Sequence, residues 1–138
     1  MIIQERQTKQ KSLIYEALTT LNHPTATEVY GYLRELYPSL SRATVFRVLS
    51  GFASSGKALE LRYSGHDVRY DYNVAEHYHA HCRLCGKVTD IFSKEFSELG
   101  RNIQKEVGGF KIDGFVVEFS GTCEDCRNAS VKEESVCN

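Results

Sequence analysis

Apolar positions in the first half of the chain recur at helical intervals. Leu13, Ile14, Ala17, Leu18 and Leu21 share one face of a helix, and His23-Pro24 breaks the pattern. Thr25 follows as an N-cap, with Glu28 three residues on to complete a capping box. Val29, Leu33 and Leu36 form a second stripe that stops before Pro38. Ser41 caps a third helix with the stripe Val45, Leu49 and Phe52, which Ser54-Ser55-Gly56 ends. Three short helices with tight connections predict a helix-turn-helix core.

After Gly56 the period drops to two. Ala58–Tyr63 and Val68–Tyr72 alternate, and Ser64-Gly65-His66-Asp67 can turn between them. Three helices followed by a hairpin is the order of a winged helix. Farther on, Tyr78–Cys82, Lys87–Phe92 and Phe110–Ser120 read as strands, and Phe96–Val107 as a helix ended by Gly108-Gly109. The expected fold class is α+β. A winged helix-turn-helix domain covers residues 1–73 and a small α/β domain covers 74–138, with Asn128–Asn138 as a disordered tail.

Composition narrows the setting. The 138 residues are 41% hydrophobic and 25% charged, ordinary for a globular protein. No apolar run approaches the roughly 18 residues of a membrane span, and Met1–Lys11 has no basic-then-apolar signal pattern. The expectation is a cytoplasmic protein without a membrane partner. In that reducing compartment, paired cysteines are more often metal ligands or redox centres than disulfides. The net charge of −1 conceals an asymmetry: residues 1–70 carry nine Lys/Arg against six Asp/Glu, and residues 71–138 carry eight against twelve. A basic half joined to an acidic half fits a nucleic-acid-binding module attached to one that avoids phosphates, although chance variation in surface charge gives the same numbers. Two units of this size each bury only about 60% of their unfolded surface, so the second calls for a structural metal, an oligomer interface, or both.

Cys82-Arg83-Leu84-Cys85-Gly86 and Cys123-Glu124-Asp125-Cys126 supply the metal. Two intervening residues let both sulfurs of a CxxC pair face one ion, and four thiolates close a tetrahedral zinc site. The 37 residues between the pairs must then loop out as a strand–helix–strand segment. A thioredoxin-like redox centre uses one CxxC opening a helix, whereas here there are two and Cys82 ends a strand. Cys137 is unpaired and reads as an incidental thiol. Asp71, His77, His79 and Asp90 form a second constellation, and three of the five histidines crowd into His77–His81. Imidazole and carboxylate without thiolate favour Fe(II) or Mn(II), with Zn(II) also accommodated. On a regular strand His77, His79 and His81 share a face, so periodicity leaves open which of them bind. His66 reads as a solvated turn residue. The third helix carries Arg42, Thr44, Phe46 and Arg47 around its apolar stripe, residue types that reach base edges and phosphates from a recognition helix.

Together these motifs resemble the ferric uptake regulator family, and within it the peroxide-responsive repressors. Arg6-Gln7-Thr8-Lys9-Gln10-Lys11 is similar to the family's R-x-T-x-Q-R opening, and His23-Pro24-Thr25-Ala26 with Val29-Tyr30 to its H-P-T-A-x-x-I-Y segment. Ser41–Arg47 resembles the recognition helix, His77–Lys87 the metal-binding signature, and Gly121–Cys126 the closing cysteine pair. The resemblance implies a homodimeric winged-helix repressor of double-stranded DNA, with residues 74–138 as the dimerisation domain. It implies one structural Zn2+ per chain on Cys82, Cys85, Cys123 and Cys126. It also implies one regulatory Fe2+ or Mn2+ on His23, Asp71, His77, His79 and Asp90; His23 enters the ligand set only this way. DNA contacts are expected from Arg6, Lys11, Ser41, Arg42, Thr44, Phe46 and Arg47, on an A·T-rich palindromic operator.

Asp90 stands where iron-sensing relatives usually carry Glu, and no histidine lies near Asp113-Gly114, where those relatives often build another metal site. Both favour the peroxide branch. Arg47 looks like the iron-sensing branch, and Phe46 replaces the usual Tyr, keeping contact with a thymine methyl but losing a hydrogen bond. Arg6 is five residues from the start of the sequence, so the extra N-terminal helix of many relatives is expected to be truncated or absent. Two alternatives to peroxide sensing are an iron- or zinc-level regulator and, more distantly, an Fe(II) metalloenzyme acting on an organic substrate through two histidines and a carboxylate. The helical first half opposes the enzyme, which usually needs a β-barrel.

Overall fold

The computed structural model of the protein describes residues 2–103 and 105–136. The chain divides into two compact units, Met1–Ala75 and Glu76–Asn138. The boundary falls two residues beyond the expected one. Among the described residues no helix is long and apolar enough to cross a membrane.

The first unit runs α1 (Ile2–Thr20), α2 (Ala26–Leu36), α3 (Arg42–Ser54), β1 (Leu59–Leu61) and β2 (Arg69–Asp71). Its core gathers the three stripes: Ile14 and Leu18 from α1, Val29 and Leu33 from α2, and Val45, Leu49 and Phe52 from α3. Local chemistry sets the helix ends. The Glu28 amide donates to Thr25 Oγ1 at 3.1 Å and the Thr25 amide to Glu28 Oε2 at 2.9 Å, a complete capping box. Ser41 Oγ accepts from the Thr44 amide at 3.2 Å and so starts α3. At the other end the Lys57 and Gly56 amides donate to the carbonyls of Phe52 and Ala53 at 2.8 and 3.3 Å, a Schellman termination. β1 and β2 pair antiparallel, Leu59 opposite Asp71 and Leu61 opposite Arg69. β2 also bonds the α1–α2 connection, through a Thr25–Arg69 bridge and a Tyr70 amide donating to the Pro24 carbonyl at 2.9 Å.

The second unit runs β3 (Tyr78–Cys82), β4 (Val88–Ile91), α4 (Lys94–Asn102), β5 (Glu106–Val107), β6 (Phe110–Lys111), β7 (Glu118–Gly121) and α5 (Glu124–Val136). Its three-stranded sheet has the order β4-β3-β7, with β3 antiparallel to β4 and parallel to β7. Phe96 of α4 packs edge-on against Tyr78 and Phe119, ring centroids 5.7 and 5.0 Å away. Much apolar surface stays outside: Phe92, Phe110 and Val116 are 71%, 74% and 84% exposed.

Three expectations for this unit need correction. The helix expected over Phe96–Val107 ends at Asn102, and Glu106–Val107 is a strand paired with Phe110–Lys111. Gly108 and Gly109 have φ of +57° and +79°, so they form the two-residue turn of that hairpin rather than a helix cap. The strand expected over Phe110–Ser120 is two strands, with residues 112–117 between them belonging to neither. The tail expected from Asn128 is helical as far as Val136. α5 opens with Glu124 and Asp125, which complement the helix dipole, and includes the good helix formers Arg127, Ala129, Lys132, Glu133 and Glu134. Cys137 lies outside the described residues.

Candidate metal centres and nucleic-acid-binding face

The cysteine cluster follows from the sheet. Because β3 and β7 are parallel and Cys82 pairs with Gly121, the chain leaves both strands at one end of the sheet. Cys82 ends β3, Cys85 sits in the turn to β4, Cys123 precedes α5 and Cys126 lies in its first turn. The Gly86 amide closes the first knuckle by donating to the Cys82 carbonyl at 2.9 Å, with Gly86 at φ +76°, where any other residue is strained. Arg83 donates to the Gly121 carbonyl at 2.9 Å, which ties the two knuckles together.

All four sulfurs lie within 4.8 Å of one another, and Cys85 and Cys123 are 3.7 Å apart. Four sulfurs about 2.3 Å from one zinc ion stand about 3.8 Å from each other, so the cluster fits a closed tetrahedral site. The four thiols are not equivalent. The Cys123 amide donates to Cys82 Sγ at 3.4 Å and, with the Cys85 amide, pulls the Cys82 thiol down to about 5. Cys126, hydrogen-bonded to the Cys123 and Cys85 sulfurs, is pushed up to about 12. Lys87 Nζ lies 3.4 Å from Asp125 Oδ2, which raises its pKa.

Imidazole–carboxylate groups occur in both units. In the first, His23 Nε2 lies 3.4 Å from Asp71 Oδ2, and both residues are buried. His23 Nδ1 is 2.7 Å from Asn22 Oδ1, a contact that orients the ring with Nε2 toward Asp71. Asp71 Oδ1 accepts from the Asn73 amide at 2.9 Å, which leaves Oδ2 toward the histidine. The His23 backbone is left-handed, with φ of +44°, a conformation that costs a non-glycine residue on the order of 1 kcal/mol and is common at functional sites.

In the second unit, the β3–β4 register places His79 opposite Asp90. His77 Nε2 and His79 Nε2 lie 3.1 and 3.3 Å from the same oxygen, Asp90 Oδ1. Neighbouring ligands about 2.1 Å from one ion stand about 3.0–3.4 Å apart, so each group has the spacing of part of a coordination sphere. The His77 side chain is fully buried and the Phe92 ring stacks on its imidazole at 5.5 Å. His81 lies two residues farther along β3, opposite Val88 and Ser120, away from Asp90 in the register.

The residues expected to touch DNA lie on α1, on α3 and at the N-cap of α3. Arg6, Lys11, Ser41, Arg42, Phe46 and Arg47 are exposed and Thr44 half-buried. Arg42 stacks its guanidinium over the Phe46 ring, 5.1 Å from the centroid, and presents a cation and an apolar face together. The Ser41 hydroxyl serves the α3 cap and also meets Thr44 Oγ1 at 2.8 Å.

The sequence model of the ferric uptake regulator family matches residues 3–120, which take in the first four helices from residue 3 on, the wing, the histidine-rich strand and the first cysteine pair. The chain belongs to the ferric uptake regulator family. The Peroxide operon regulator of Bacillus subtilis is 36% identical over 122 residues, 88% of this chain and 83% of that protein. The Campylobacter jejuni peroxide stress regulator superposes with a TM-score of 0.74 at 27% identity, over 88% of this chain and 91% of that one. FurB from M. tuberculosis, described as a zinc uptake regulator, is 30% identical over 88% of this chain and 95% of that one, with a TM-score of 0.51. All three are named as regulators; none is named as an enzyme. Within the family frame, Asn22, Arg69 and Phe92 are the neighbours of the candidate ligand histidines that sequence reasoning missed. None belongs to a spaced motif, and Arg69 meets its partners from more than forty positions away.

Proposed function

We propose that this chain is a cytoplasmic, homodimeric, metal-dependent repressor that binds double-stranded DNA and releases it in response to peroxide. The observation that carries this reading is the split donor set: His23 with Asp71 in the wing-bearing unit, and His77, His79 and Asp90 in the other. Neither group alone completes a coordination sphere, and the reading assigns all five residues to the regulatory ion. Metal then favours operator binding to the extent that it binds the DNA-competent arrangement more tightly. The second ion, Zn2+ on Cys82, Cys85, Cys123 and Cys126, serves structure. Exposed apolar side chains on the second unit, Phe110 and Val116 among them, support its role in dimerisation.

Residues of the first unit perform the DNA contact. Arg47 and Arg42 on α3 reach base edges and phosphates, Phe46 offers a ring to thymine methyls, and Arg6 and Lys11 on α1 add phosphate contacts, on a palindromic and A·T-rich site. For the peroxide response, His23, Asp71, His77, His79 and Asp90 would hold Fe(II), which would supply the reducing electron for peroxide beside the imidazoles. His23 or His77, once oxidised, would lose ligand strength, the metal would be held less well, and the DNA would be released. The names of the two peroxide-related relatives and Asp90 support this branch.

Duplex binding tests the reading. Zinc-replete protein should bind a two-fold-symmetric duplex tightly with Mn(II) and weakly without it, and His77→Ala should remove the difference. Equal affinity for random and palindromic duplexes in Mn(II) would refute specific repression. Loss of DNA binding on metal depletion with no response to peroxide would favour the iron- or zinc-level sensor, to which Arg47 and the zinc uptake regulator relative point.

A further inference from the structure

Arg69 sits on β2, two residues before Asp71, with its side chain largely buried at 16% exposure. Its Nη1 donates to the His23 backbone carbonyl at 2.9 Å and lies 3.4 Å from Glu28 Oε2. That carboxylate oxygen also accepts the Thr25 amide in the α2 capping box. On the same strand the Tyr70 amide donates to the Pro24 carbonyl at 2.9 Å. The α1–α2 connection is therefore fastened to the wing strand at consecutive residues, from a guanidinium and from a backbone amide. His23 lies within this fastened segment in its left-handed conformation, which persists only where the surroundings over-determine it.

We propose that Arg69 is a positioning residue that holds His23 in this conformation and presets the His23–Asp71 pair before an ion arrives. The proposal rests on the reading of His23 and Asp71 as ligands. A ligand pair that is already ordered loses less conformational freedom on binding, so its affinity is higher for the same bonds. The arrangement also links signal to output, because the strand that carries Asp71 and Arg69 is one arm of the wing. A shift of His23 on losing the ion would pull on the wing through Arg69, without any intervening side chain.

The test uses full-length, zinc-replete protein and Mn(II) alone as probe. Arg69→Met should weaken Mn(II) binding about tenfold, the scale of a lost charge-assisted hydrogen bond. It should also speed hydrogen exchange of the Tyr70 amide in protein without Mn(II), while exchange of the Leu49 amide in α3 stays unchanged. Arg69→Lys, which keeps the charge and one donor, should fall between wild type and Arg69→Met and covers the case in which the latter does not fold. Thr25→Ala separates positioning from general loosening: it weakens the α2 cap but leaves the Arg69–His23 bond, so Mn(II) affinity should hold. Wild-type Mn(II) affinity and Tyr70 exchange in folded Arg69→Met would overturn the proposal, as would an equal loss of affinity in Thr25→Ala. If His23→Ala binds Mn(II) like wild type, the ligand reading itself fails, a result distinct from either.

Discussion

Thr25 closes the capping box of α2 with its hydroxyl and its own amide, two residues after His23. Replacing it with Ala removes the hydroxyl and should cost about 1 kcal/mol of stability in the first unit, read as a lower denaturant midpoint with an unchanged slope. An unchanged midpoint would show that water satisfies the Glu28 amide equally well. On α3, Arg47 is exposed and available for a bidentate base contact. Arg47→Ala should cost roughly 1–3 kcal/mol of specific DNA affinity and relax sequence preference, measured by competition between operator and random duplex at fixed salt. A uniform loss across sequences would make Arg47 a phosphate contact instead. Residues that act through a local rule were legible in the sequence: the caps at Thr25 and Ser41, and the four cysteines. His23 was not, because a lone histidine before a proline carries no periodic signal and entered only through family resemblance. Asn22, Arg69 and Phe92 were invisible for a similar reason, since their roles depend on tertiary neighbours.

At the scale of elements, the first unit follows its hydrophobic pattern closely and the second does not. The stripes of α1, α2 and α3 are long enough to fix period and face. Beyond Ile91 the elements are short, and single dipeptides decide them. Gly108-Gly109 suits a helix end or a hairpin turn, and pairing of Val107 with Phe110 selects the turn. Pattern alone could not reveal that β7 returns parallel to β3, yet this pairing assembles the cysteine cluster. The cluster has a definite pH dependence. Zinc must displace the proton that Cys126 holds up to about 12, whereas Cys82, pulled down to about 5, is already a thiolate at neutral pH. Each displaced proton changes apparent zinc affinity about tenfold per pH unit, so zinc should be lost more readily as pH falls. Chelator competition at pH 6 and pH 8 checks the sign; equal or tighter retention at pH 6 would contradict it. Cys82→Ser should lose zinc and, since such ions contribute on the order of 10 kcal/mol to folding, unfold β3, β7 and the start of α5. A metal-free variant with native hydrogen-exchange protection in β3 would contradict that.

For the whole molecule, the charge asymmetry and the two-unit division agree: the basic unit carries α3 and the wing, and the acidic unit carries the cysteines and the exposed apolar surface. Family membership was legible from motif order alone, whereas the branch turns on Asp90 and Arg47, which point in different directions. The central claim is that the histidine–carboxylate donors convert peroxide into loss of DNA binding. Peptide mass spectrometry of the zinc-replete protein tests it most directly, after mild peroxide with either Fe(II) or Mn(II) bound. With Fe(II), one oxygen should be added to the peptide containing His23 or the one containing His77, in proportion to the loss of operator binding. With Mn(II) both peptides should stay unmodified and binding should persist. The closed cysteine site should remain reduced, because metal-held thiolates are poorly accessible to oxidant. Unmodified histidines together with a Cys82–Cys85 disulfide and released zinc would contradict the account and make the protein a thiol switch.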